Sequence, residues 1–175
     1  FNDKMQDIYQ LDYSVKNLEN SFKHHGFSFK DVTDIIFTHL HFDHCGGSSF
    51  YNEDEELELT FQNANYHIVE KHWENATNPN AREKASFLRE NIEHLKESGK
   101  LNLAEENHEY EAGLSAINVD GHTIGQQLPK IESGEEAIVF VADLQPTQVQ
   151  VPLPWVMGYD MYTVQTLSEK DLVLK

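Results

Sequence analysis

The sequence predicts a mixed α/β domain that carries its chemistry at the ends of strands. Three observations support this. Ala81, Ala85, Leu88, Ile92 and Leu95 recur at three- and four-residue spacing, as on one face of a helix. Short apolar runs at 35–37, 114–119 and 137–142 have the length and composition of strands. Groups able to bind cations stand directly after each of these runs.

Residues 1–12 show no clear pattern. A helix is expected from Ser14, which would cap it, with Val15, Leu18 and Phe22 as its apolar stripe and Gly26 at its end. His24 and His25, in its last turn, are read as surface residues. A strand follows at 35–38. The acidic run 53–56 is a solvated turn, and strands follow at 57–61, where Leu57, Leu59 and Phe61 alternate with polar residues, and at 65–69. His67 is read as a packed or exposed residue and not a ligand. His72 and Trp73 begin a short helical stretch that ends near Asn78 and Pro79. A longer helix is expected over 81–98, closed by Gly99. Leu101 and Leu103 precede a polar stretch to Gly113, and His94 and His108 are not candidate ligands. Strand 114–119 leads into Asp120-Gly121-His122-Thr123-Ile124-Gly125. Segments 127–131 and 137–142 form a hairpin, and the second, continuously apolar, places Asp143 at the tip of a buried strand. Residues 152–160, rich in Pro, Gly and aromatic side chains, suit the wall or lid of a pocket, and a further helix is expected over 167–174. No repeat or linker divides 1–175, so a single domain is expected.

The densest feature is Thr38-His39-Leu40-His41-Phe42-Asp43-His44-Cys45-Gly46-Gly47. Imidazole and carboxylate are N/O donors for zinc, iron, manganese or cobalt. Side chains two apart on an extended chain share a side, so His39 and His41 can meet at one ion. Asp43 and His44 are adjacent, so a local turn must redirect one of them, and two neighbouring ions fit better than one ion with four ligands. Cys45, the single cysteine, is read as a small buried residue.

The chain has 13 basic and 30 acidic residues, a net charge of −17, with the basic residues scattered. This disfavours nucleic acid as a partner. With 39% hydrophobic and 11% aromatic residues it is a globular sequence. It has no apolar run long enough for a membrane span, and no signal peptide is visible. A cytoplasmic location is expected, with export left open because the chain begins at Phe1.

The segments Thr38-His39-Leu40-His41-Phe42-Asp43-His44, Gly121-His122 and Ala142-Asp143 together resemble the signature of the metallo-β-lactamase superfamily. Ala142-Asp143-Leu144, Pro146-Thr147 and Pro154-Trp155-Val156-Met157-Gly158-Tyr159-Asp160 are similar to its branch of N-acyl homoserine lactonases and parathion-type hydrolases. The resemblance implies a four-layer αββα sandwich, of which this chain is the central part. It implies two divalent ions, zinc by default, with iron, manganese or cobalt as alternatives. His39, His41 and His122 would bind one ion and Asp43 and His44 the other, with Asp143 bridging. A further histidine on the second ion is expected beyond Lys175. The implied activity is hydrolysis of small lactones or esters by a metal-bridged hydroxide, of the quorum-quenching lactonase type. Asp43 would pass a proton to the leaving group, and Tyr159 would donate to the developing oxyanion. A phosphotriesterase, a glyoxalase II-like thioesterase or a β-lactamase is the alternative on the same fold. A flavo-diiron-like redox domain or a non-catalytic metal-binding domain is the alternative of another kind. The partner is a small molecule, and a homodimer is possible.

Overall fold

The computed structural model describes residues 3–10, 12, 14 and 17–175. A parallel sheet is built from β1 (Asp34–Ile36), β4 (Asn65–Val69) and β5 (Leu101–Ala104), in the order β1-β4-β5, with Ile35 beside Tyr66 and Ile68 beside Leu103. A small antiparallel pair, β2 (Ser49–Tyr51) and β3 (Leu57–Leu59), follows the histidine-rich loop. The second main sheet is an antiparallel meander of β6 (Glu109–Glu111), β7 (Leu114–Val119), β8 (Gln126–Ser133) and β9 (Glu136–Val139).

Helix α4 (Glu70–Thr77) covers the first sheet, and α5 (Arg89–Glu97) packs against β3 and turns Ile92 and Leu95 into the same core. Phe37, Tyr66, Ile68, Trp73, Phe87, Ile92 and Leu95 interlock in its core. Helix α6 (Thr163–Val173) lies by the second sheet, where Val173 packs on the cluster of Val119, Leu128, Ala142 and Leu144. The order is helix, sheet, sheet, helix. Gln127 joins the two sheets: its backbone N–H donates to Thr38 O at 2.9 Å and its side-chain amide to Phe37 O at 2.6 Å. The Tyr110 hydroxyl in turn donates to the Gln127 carbonyl oxygen at 2.6 Å.

Four expectations are corrected. First, α1 (Asp3–Tyr9) forms where no pattern was read, because the helix is short and largely exposed and shows no stripe. Second, α2 (Leu18–His24) starts at Leu18: Asn17, not Ser14, is the cap and accepts from Asn20 N at 2.8 Å. Val15 lies outside the described residues.

Third, the helix read over 81–98 begins only at Arg89. The Asn80 side chain accepts from Arg82 N at 2.9 Å and Glu83 N at 3.1 Å, which competes with a helical ladder. A 3-10 turn follows at Lys84–Ser86, and Phe87 and Leu88 are extended. Fourth, the run 137–142 is not a buried strand. β9 is the exposed edge of its sheet, with Ile138 72% and Phe140 63% accessible, and the chain leaves it at Val139. Strands β2 and β6, absent from the sequence reading, are three residues each and carry too little periodicity to detect.

Candidate metal centre

The chain leaves β1 through residues 37–41, bending at Thr38, and His41 (φ −64°, ψ 146°) is the extended N-cap of the short helix α3 (Phe42–Cys45). His44 N and Cys45 N donate to His41 O at 2.9 and 3.0 Å. This is the local turn that the adjacency of Asp43 and His44 demanded. It leaves Cys45 fully buried against Leu40 O, where burial pushes its thiol up to about 12. The cysteine is inert packing.

His122 projects from the 120–125 loop between β7 and β8, and two glycines make that possible. A Cβ on Gly121 would lie 2.5 Å from Thr166 N, and one on Gly125 (φ +73°) would lie 2.7 Å from His72 N. Glu169 of α6 accepts from Asp120 N and Gly121 N, and Asp120 accepts from Gly125 N and Lys71 Nζ. Asp143 sits in the 3-10 turn Ala142–Leu144, after Ala142 at φ +42°, a left-handed conformation uncommon for alanine. The fully buried Gln126 carboxamide, oriented by its surroundings with the oxygen towards this turn, accepts from Asp143 N at 3.1 Å and Leu144 N at 3.2 Å.

These loops converge. His39, His41 and His122 bring one nitrogen each within 4.8 Å of the others, and His39, His44 and Asp143 form a second such group. His41 Nδ1 and His122 Nε2 lie 3.3 Å apart. Asp143 spans both groups, with one oxygen 3.4 Å from His122 Nε2 and the other 3.3 Å from His44 Nε2. Asp43 lies 3.5 Å from His44 Nε2. Five of the six predicted ligands therefore fall in these two groups, and Asp43 adjoins them through His44.

The outer nitrogens decide how the inner ones are used. His41 Nε2 faces Glu83 Oε1 at 3.1 Å, His122 Nδ1 faces Asp160 Oδ1 at 3.1 Å, and His39 Nδ1 faces Thr38 Oγ1 at 3.1 Å. A carboxylate accepts only, so it takes the imidazole proton and leaves the opposite nitrogen bare. Two bare nitrogens then face each other, and buried His39 Nε2 has no partner. Lone pairs so placed repel unless a cation stands between them. Two nitrogens at about 2.0–2.1 Å on a tetrahedral zinc would stand about 3.3–3.4 Å apart. The residues fit a divalent ion.

Electrostatics agrees. Burial, with the neighbouring imidazoles, holds His39 well below the ordinary histidine range, in the neutral form that ligates. Burial alone would depress His44, but the hydrogen bond and charge of Asp143 and the charge of Asp43 raise it. Burial alone would raise Asp143, yet His44 and the other histidines lower it. Glu83 resists burial through hydrogen bonds from His41, Thr123 and Asn75 and is held down to about 2.

A cavity of about 560 Å³ opens on His41, Asp43, His122 and Asp143. Phe42, Pro146, Met157 and Tyr159 give it apolar walls, and the Tyr9 ring of α1 packs tilted against Phe42 at 5.5 Å. Tyr159 stands at the rim, 81% exposed. Arg82 holds this loop by donating to Gly158 O at 2.9 Å and Asp160 O at 3.3 Å. Of the other histidines, His67 pairs with Asp34 at 2.8 Å, away from the centre.

The family profile described as the metallo-beta-lactamase superfamily matches residues 18–175. The chain belongs to the metallo-β-lactamase superfamily. The structure of a probable metal-dependent hydrolase from Staphylococcus aureus superposes with a TM-score of 0.86 at 26% identity, over 98% of this chain and 59% of that one. AidC, a dizinc quorum-quenching lactonase solved with a product, gives 0.74 at 27% identity, over 94% of this chain and 60% of that one. An N-acyl homoserine lactone hydrolase with N-hexanoyl-L-homoserine at its catalytic metal centre gives 0.67 at 22% identity, over 90% and 56%, a likeness of fold alone. The chain thus spans about three-fifths of the length of these structures, and its own α/β layers are a portion of the metallo-β-lactamase sandwich. A comparison with curated proteins found no significant match.

Sequence reasoning missed four residues that position this metallo-β-lactamase centre: Glu83, Asp160, His72 and Gln126. Asp160 was within a quoted motif without a role. Glu83 was masked by the helical reading of 81–98. Gln126 carries no signal in one sequence. His72 is fully buried, with Nε2 accepting from Leu40 N at 2.8 Å and Nδ1 donating to Ile124 O at 2.6 Å, so it ties the two histidine loops together.

Proposed function

We propose that this protein is a metal-dependent hydrolase that opens small lactones or esters, the quorum-quenching type of substrate included. The observation that carries this reading is the pair of ligand groups spanned by Asp143 at the floor of an apolar-walled cavity. His39, His41 and His122 would hold one divalent ion, zinc by default, and Asp43 and His44 a second, with Asp143 shared. Such ions lower the pKa of bound water and polarise the attacked carbonyl.

The chain's own groups do the rest. The walls formed by Phe42, Pro146, Met157 and Tyr159 take an acyl or aromatic part and exclude bulk water from the carbonyl. Water adds to the carbonyl carbon and the ring or ester C–O bond breaks. The attacking water gives up a proton to the Asp43 carboxylate, which passes that same proton to the departing alkoxide. The Tyr159 hydroxyl, at the rim, donates to the oxyanion as it develops. AidC, a lactonase by name at 27% identity, favours a lactone over a thioester or phosphotriester.

The test is metal analysis joined to turnover of N-acyl lactones, aryl esters, thioesters and phosphotriesters by the metal-loaded full-length protein. Lactone hydrolysis is expected to dominate, and Asp43→Asn to lower kcat by about 10²–10⁴-fold. No turnover of any of the four would sink the reading. Unchanged turnover and metal content in Asp43→Asn would remove Asp43 from proton transfer.

A further inference from the structure

We infer that Glu83 is the positioning residue of the first metal position, fixing His41 so that its Nδ1 is the ligating atom. This rests on the reading of His39, His41 and His122 as ligands. Glu83 is 3% exposed and stands in the irregular segment before α5. Both of its oxygens are engaged. Oε1 accepts from His41 Nε2 at 3.1 Å and from the Thr123 hydroxyl, and Oε2 accepts from Asn75 Nδ2 at 3.2 Å and Asn80 Nδ2 at 3.1 Å.

These partners come from four places. His41 belongs to the first ligand loop, Thr123 adjoins His122 in the second, Asn75 lies on α4, and Asn80 opens the turn before Glu83. One buried carboxylate therefore sets the distance between both ligand loops and their helical support. Among the described residues its only ion-pair partner is His41, and no lysine or arginine balances it. A buried carboxylate without a fixed cation is costly. A divalent ion on the far side of the His41 ring supplies that balance. Phe87 closes the arrangement by packing 4.9 Å from the His41 ring, which blocks rotation away from Glu83. The remaining freedom of His41 is its tautomer, and Glu83 removes it: the proton stays on Nε2 and Nδ1 is bare.

The experiment uses full-length protein, Co(II) as the probe ion, and the variants Glu83→Ala, Glu83→Gln and His41→Ala. Long-range proton–nitrogen correlations of labelled histidine read the His41 tautomer in metal-free protein. Chelator competition and the Co(II) absorption spectrum read the site when loaded. Wild type is expected to carry the His41 proton on Nε2. Glu83→Ala should mix the tautomers, alter the spectrum and weaken one ion by about 10–100-fold. Glu83→Gln, whose carbonyl still accepts from Nε2, should restore the tautomer and most of the affinity. If Glu83→Ala fails to fold, Glu83→Asp replaces it: the charge stays, the acceptor withdraws from Nε2, and the same losses are expected. Wild-type tautomer and affinity in Glu83→Ala or Glu83→Asp, alongside loss of an ion in His41→Ala, would overturn the role of Glu83 alone. Unchanged Co(II) binding in His41→Ala would overturn the ligand reading beneath it.

Discussion

His41 Nδ1 and His122 Nε2 face each other across 3.3 Å, and each ring turns its other nitrogen to a buried carboxylate, Glu83 for His41 and Asp160 for His122. With both rings neutral, the centre is thus organised around two lone pairs that a divalent ion reconciles. Metal binding should be felt as stability. An ion present at about a hundred times its dissociation constant stabilises the folded state by about 2.7 kcal/mol. At this chain length that corresponds to about 5–10 °C in Tm. Calorimetry with and without a chelator, followed by zinc replenishment, measures it. A melting temperature indifferent to both would contradict a metal centre here.

His72 makes stability depend on pH. Burial pushes its imidazole down to about 4, against hydrogen bonding to Ile124 O, and the ring is neutral where it clamps Leu40 to Ile124. Between pH 4 and 6.5 the unfolded chain binds a proton at this ring that the folded chain refuses. The contribution is therefore fully present above pH 6.5 and is lost as pH falls towards 4, by up to about 3 kcal/mol. Urea midpoints of metal-free protein from pH 4 to 8 should fall on the acid side. His72→Gln should lie lower at pH 7 and vary less with pH. Parallel curves for the two proteins would rule His72 out as the source.

Five of the six candidate ligands fall into two close groups, with Asp43 beside His44, and they could be singled out because their information is local: a strand end, residue chemistry and the turn imposed by adjacent Asp43 and His44. Strands β4 and β7 and helix α4 were legible for the same reason, since each has a clear run or period. What failed depends on distant partners. Glu83 reads as one polar position in a helical stripe until His41, 42 positions away, takes it inward. Ile138 and Phe140 look like core residues in any window of sequence, but whether a strand is central or an edge is decided by pairing, and β9 has β8 on one side only. The membrane expectation is narrower: no helix of the described residues is long and apolar enough to cross a bilayer.

Gly125→Ala tests how closely the second ligand loop must approach α4. The position has φ +73°, which alanine resists, and the added Cβ would meet His72 N at 2.7 Å and His72 Cα at 3.0 Å. Backbone strain of about 1–2 kcal/mol combines with a contact against backbone that cannot swing aside. The expected result is a loss of about 2–4 kcal/mol, with weaker metal retention because Ile124 O and His122 move together. Chemical denaturation and metal titration on the same preparation check both halves. A variant as stable as wild type would show that the loop and α4 can separate without cost.

Lys170 of α6 offers the last prediction. Its side chain is fully buried, and the three N–H groups on Nζ are shared among Gln150 O at 2.5 Å, Pro152 O at 3.0 Å, Leu153 O at 3.4 Å and Trp155 O at 2.9 Å. One ammonium thus gathers the carbonyls of a loop that has little regular structure of its own and continues into Met157, Gly158 and Tyr159 at the cavity rim. Lys170→Met keeps the stem but leaves four carbonyls without that donor. Hydrogen bonds to a charged group are worth about 1.5–3 kcal/mol each, and water reaching the loosened loop recovers part of them. A net destabilisation of about 2–4 kcal/mol is expected, with faster amide exchange and proteolysis over 148–160. Because His122 keeps its own bonds to the Asp160 carboxylate and, through its carbonyl, to Met161 N, metal affinity should change far less than KM for a substrate that touches Tyr159. Wild-type exchange over the loop would mean that Lys170 does not hold it. Metal loss as large as in His41→Ala would mean that the loop and the metal centre move as one unit.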